Sequence, residues 1–168
     1  MPRRYGRHIG TGADDPESVR RDALRDALAC WATGVSLVAV REGGRVYALT
    51  VSAFLPVSLE PALVAFALGG NAAVLPFLEP GRELTMSILA AGQQGLASRY
   101  ADTFPVGPSP FPPEGPPVAD GALAALVCRV DELLERGDHH LVLARVEEAR
   151  GGPGPALVYL RREYRRLG

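Results

Sequence analysis

The twelve residues Thr50 to Pro61 (TVSAFLPVSLEP) carry three side-chain hydroxyls, on Thr50, Ser52 and Ser58, and no charge before Glu60. Small hydroxyl residues let a main chain approach a flat polar ligand and offer neutral donors beside the backbone N–H groups. The run holds no general base and no activated nucleophile. It suits a cofactor that brings its own reactivity better than acid–base work by side chains.

Other candidates are weaker. Asp138-His139-His140 reads as a turn between two strands, and strand alternation sends the two imidazoles to opposite faces. No acidic or cysteine cluster stands near them, so no metal site is expected. The plain reading is a polar turn capped by Asp138; the sharper one turns one histidine toward a pocket. Arg161-Arg162-Glu163-Tyr164-Arg165-Arg166 reads either as a solvated end or as guanidinium groups for a phosphate. Ser52 and Ser58 lack a G-x-S-x-G elbow, which argues against hydrolysis. No G-x-G-x-x-G follows a strand, which argues against a Rossmann site. All eighteen basic residues are arginine, and without lysine neither Schiff-base chemistry nor a P-loop lysine is available.

The elements that must position these residues follow from the pattern. The 168 residues, 47% hydrophobic and 22% charged, suit one soluble domain over 1–168, with 1–14 as a loose N-terminal arm. A net charge of −1 gives no field for nucleic acid or an anionic membrane. No apolar run is long enough to cross a bilayer, and the chain reads as cytoplasmic. Cys30 and Cys128 stand far apart among apolar residues and read as two buried free thiols, with a disulfide between them as the alternative. Asp15-Pro16-Glu17 signals a helix start, and Gly34 its stop. Short apolar runs at 35–40, 46–51, 63–68, 83–89, 127–130, 140–147 and 156–160 read as strands, with a helix over 92–101. Residues 104–117 contain seven prolines and read as an extended loop. Without βαβ alternation the fold is mainly β, an antiparallel, Greek-key-like β-barrel with a few helices.

The order of several short segments resembles the flavin reductase-like family, whose fold is the FMN-binding split barrel. They are Cys30-Trp31-Ala32-Thr33-Gly34-Val35, Thr50-Val51-Ser52-Ala53-Phe54 and Val57-Ser58-Leu59-Glu60-Pro61. The strand Glu83 to Leu89 then leads to Gln93 or Gln94, Leu96-Ala97 and Tyr100. After the proline-rich loop come Leu126 to Val130, Gly137-Asp138-His139, Leu157-Val158-Tyr159 and Tyr164. The resemblance implies a homodimer with FMN, or FAD, bound near the subunit interface and reduced by NADH or NADPH. It implies a flavin reductase that supplies a partner monooxygenase. By position, Ala32, Thr33, Gly34 and Val35 approach the cofactor, and Thr50, Val51, Ser52 and Ala53 line its ring and ribityl chain. Phe66, Ala67, Leu68 and Asn71 run toward the phosphate, Ser87, Ile88 and Leu89 complete the wall, and Tyr164 packs close by. His139 falls at the family's Gly-Asp-His position and is the expected catalytic residue, near nicotinamide or flavin. Ala62 replaces a proline found in many relatives, and Asn71-Ala72-Ala73 stands where hydroxyls are common. Two other readings stay open at this point: a flavin-binding electron carrier without a fast nicotinamide reaction, and a non-enzymatic dimeric β-barrel binding protein.

Overall fold

The computed structural model describes residues 15–102 and 104–167; the expected N-terminal arm lies outside them. Helix α1 (Pro16–Leu28) starts where its signals sit: the Asp15 carboxylate accepts from the Glu17 N–H, and proline occupies the first turn. It stops at Leu28, with Ala29 as its cap, before the expected Gly34. Gly34 belongs instead to a two-residue strand, β1 (Thr33–Gly34).

Strands β2 (Ser36–Glu42) and β3 (Arg45–Val51) form a hairpin through Gly43 and Gly44, at φ +54° and +76°, the paired left-handed residues of a tight turn. Then follow β4 (Phe54–Leu59), β5 (Ala62–Gly69), β6 (Glu83–Ile88), α2 (Gln94–Ala101), β7 (Ala124–Arg136), β8 (His139–Gly151), β9 (Leu157–Leu160) and β10 (Glu163–Arg166). The sheet order is β3-β2-β6-β7-β8-β5-β4, with every pair antiparallel, and β1-β9-β10 form a smaller sheet. The two edge strands, β3 and β4, are consecutive in the chain and joined by Ser52-Ala53 alone. The large sheet therefore curls into a barrel split at that link. The expected mainly β, antiparallel barrel is what the chain forms.

Continuous burial of Ser36–Val40 explains why β2 shows no alternation. Val38 and Val40 face the barrel interior with Phe66, Leu84, Met86 and Val142. Leu37 and Ala39 face a second core with Leu89, Tyr100, Phe111 and Leu157. The proline-rich segment, without helix or strand, closes that second core. Arg41 holds it through the carbonyls of Gly115 (3.0 Å) and Pro112 (2.6 Å). The Thr85 hydroxyl donates to Pro117 O (2.7 Å), and the Ala119 N–H donates to Ser87 Oγ (2.9 Å).

Four further expectations change. Cys30 is exposed, two residues past the end of α1; Cys128 is buried as expected. β4 is a strand that the pattern did not separate, and β7 and β8 are longer than their apolar centres. The Arg-rich end forms β10, paired with β9. Among the described residues no helix is long and apolar enough to cross a membrane.

Candidate functional site

The split in the barrel opens into a cleft of about 810 Å³, within the range that holds a flat organic ligand. Ser52 and Ala53 form its back, and Ala53 keeps a ladder bond by accepting from the Ala67 N–H (3.1 Å). Its floor is the shared outer face of β4, β5 and β8, where register brings Leu55 beside Ala65 and Ala67 beside Leu141. Trp31, Thr33 and Tyr159 wall the other side, and Arg25, Arg161 and Arg162 stand at the mouth. No carboxylate lines the cleft among the described residues. Thr33 Oγ1 is buried and has no hydrogen-bond partner there, a condition that costs free energy until something supplies one.

The expected residues divide by place. Thr33, Ser52, Ala53, Phe66 and Ala67 meet in the cleft. Thr50 and Asn71 instead line a smaller cavity of about 330 Å³ beside Tyr100 and Asp102. The Thr50 hydroxyl is already committed, donating to Ala97 O (2.7 Å). The side chains of Val35, Val51, Leu68 and Leu89 are in the core, and the Ser87 hydroxyl accepts from Ala119. Ile88 is half-buried in β6, while Ala32 and Gly34 are exposed beside the cleft residue Thr33. Tyr164 packs on Tyr159 at 5.3 Å between ring centroids. Burial pushes its phenol above the usual range, against a lowering hydrogen bond from Ser98.

His139 sits one rung along the cleft floor. It shares a face of β8 with Leu141 and lies opposite Gly69, as Leu141 lies opposite Ala67, about 7 Å further along the strand. Its Nδ1 is 2.7 Å from Asp138 Oδ1. That hydrogen bond holds the Asp138 carboxyl below its ordinary range. His140 turns the other way, and its Nδ1 is buried without a partner. Among the described residues no cluster of His, Cys, Asp or Glu could hold a metal ion.

Trp31, Leu55, Leu141 and Tyr159 line the cleft but were not among the expected contacts. The alternating pattern of β8 could have placed Leu141 on an outer face. Nothing in the sequence pattern places Trp31 there, because it lies beyond the end of α1 at Leu28.

Apolar walls, neutral donors and an unpaired hydroxyl make a site for a neutral aromatic ring system, and they fit a flavin isoalloxazine. Comparison with known proteins agrees with that chemistry. A family model described as the flavin reductase like domain matches residues 28–168. The reductase component of 4-hydroxyphenylacetate 3-monooxygenase from Thermus thermophilus is 41% identical over 152 residues, 88% of this chain and 97% of its own. NADH:riboflavin 5′-phosphate oxidoreductase from Streptomyces pristinaespiralis is 34% identical over 164 residues, 92% of this chain and 93% of its own. The solved structure of a Streptomyces globisporus NADH:FAD oxidoreductase with NAD and FAD fragments superposes with a TM-score of 0.80. Its identity is 29%, over 94% of this chain and 98% of the other.

Proposed function

The chain belongs to the flavin reductase-like family, and from that premise we propose that it is an NAD(P)H-dependent flavin oxidoreductase that supplies reduced flavin to a separate monooxygenase. The observation that carries this reading is the apolar cleft at the barrel's split, with the unpaired Thr33 hydroxyl and no carboxylate or imidazole in its walls among the described residues. A flavin supplies the redox chemistry when bound. The protein's task is to hold the ring, leave one face open and align the donor.

Ser52 and Thr33 offer hydroxyl hydrogen bonds to the polar edge of the ring, and Ala53 and Ala67 let it lie close to the backbone. Leu55, Leu141 and Trp31 exclude water. His139, on the open end of the floor, orients the nicotinamide. The reductase relatives support FMN as the flavin, with FAD as the alternative. The names of the relatives favour NADH as donor.

The partner of the cleft is a second copy of this chain. Leu28, Trp31 (74% exposed), Leu55 and Leu141 are exposed apolar side chains that line the cleft, and Val19 and Leu24 are further exposed apolar side chains on α1. Exposed apolar side chains gathered at a cleft mark an association site.

The test is the visible spectrum of the flavin-loaded protein without oxygen, before and after NADH or NADPH. Bleaching of the oxidised bands within seconds is expected with one donor. Bands that persist with both donors would overturn the reductase reading. His139→Ala is expected to slow bleaching about tenfold, the cost of a misaligned donor, with flavin content unchanged. A wild-type rate in that variant removes His139 from the reaction.

A further inference from the structure

The β9–β10 turn is made of Arg161 and Arg162, at φ +52° and +63°. Two consecutive side-chain-bearing residues in the left-handed region are uncommon, since such turns ordinarily use Asn and Gly. The turn is docked on the end of α1. The Arg161 N–H donates to Ala29 O (2.7 Å), and Arg162 Nη2 donates to Asp26 Oδ1 (2.7 Å). Arg25, the third cation of the cleft mouth, pairs with Asp22 (3.5 Å). That leaves the Arg161 guanidinium uncommitted among the described residues of the mouth. The other cavity, beside the Gly69-Gly70-Asn71 turn, has Asp102 in its wall and no cation among the described residues. A phosphate dianion gains most from a guanidinium and is repelled by a carboxylate.

Resting on the flavin reductase reading, we infer that Arg161 reads the phosphate monoester of a ligand whose ring enters the cleft, and that the strained turn exists to aim it there. Two ligands bring that chemistry: the 5′-phosphate of FMN and the 2′-phosphate of a nicotinamide donor. Strain in the backbone at a ligand clamp is the expected place for it. The Arg162–Asp26 pair fixes the turn, and Arg161 makes the contact.

The variants are Arg161→Asn, which tolerates a left-handed backbone and removes the cation, and Arg161→Lys, which restores it. Riboflavin and FMN are titrated into the flavin-free protein by fluorescence quenching. 5′-AMP and 2′,5′-ADP are titrated into the flavin-loaded protein by calorimetry. Arg161→Asn is expected to weaken the ligand carrying the extra phosphate about tenfold, the scale of one charge-assisted hydrogen bond. The member of the pair that lacks the extra phosphate stays unchanged, and Arg161→Lys recovers most of the loss. Whichever pair responds identifies the source of the phosphate. Equal losses within both pairs, or no loss in either, overturn the inference. If wild-type protein binds neither riboflavin nor FMN, the flavin reading itself falls. Riboflavin bound with unchanged phosphate discrimination removes only the role of Arg161.

Discussion

Thr33 is the residue on which the site reading can be pressed hardest. Its hydroxyl is buried without a partner in the cleft, so removing it relieves a cost in the empty protein and creates one in the complex. Thr33→Val is expected to leave thermal stability unchanged or raised, and to weaken flavin binding about five- to tenfold, as for one lost neutral hydrogen bond. Equilibrium flavin titration beside a melting curve separates the two effects. The cysteines offer a second contrast. Burial, with Glu147 nearby, pushes the Cys128 thiol up to about 12, whereas Cys30 is exposed. One thiol per chain should react with a disulfide reagent in the native state and the second only after unfolding. The sign for stability follows. The folded chain keeps the Cys128 proton where the unfolded chain releases it, so stability declines as pH rises from 9.0 toward about 12. Urea midpoints across that range, compared with Cys128→Ala, measure the decline.

At the scale of elements, the proline-rich segment is a strap rather than a loose loop. The hydroxyl of Ser87, fully buried in β6, accepts from Ala119 at its far end. Ser87→Ala orphans a buried N–H and is expected to cost about 1–3 kcal/mol, read as a lower melting temperature. Flavin affinity should change little, because that hydroxyl is spent inside the protein. The elements were unequally legible in the sequence. β2 and β3 announced themselves through the apolar runs at 35–40 and 46–51, and α1 through Asp15-Pro16-Glu17. β4 did not, because Pro56 interrupts it, the register shifts between Pro56 and Ser58, and its apolar Leu55 and Leu59 face outward. Periodicity assigns apolar residues to a core, and here they belong to a surface. The same limit applies to the site. Ser52 and Ala53 were readable as backbone-approach residues, and Trp31 and Tyr159 were not, since long-range packing of β9 on β1 brings their segments together.

For the whole molecule, the exposed apolar surface is the feature to test. Leu24→Glu with Leu28→Glu places two charges on it while touching no buried side chain. The wild-type protein is expected to sediment as a dimer and the double variant as a monomer with weakened flavin binding. A wild-type monomer that still binds flavin tightly would remove the second copy from the proposed site. The helix itself carries a further consequence. α1 has 13 residues, none buried, and the turn after β9 grips it through Ala29 and Asp26. A helix of that length is marginal in water when nothing packs on it. Its amide protons should therefore exchange with deuterated solvent almost as fast as those of a free peptide while the surface is bare, and far more slowly once it is covered. Followed across a dilution series, exchange along α1 becomes a built-in gauge of how much of the protein is assembled at any working concentration.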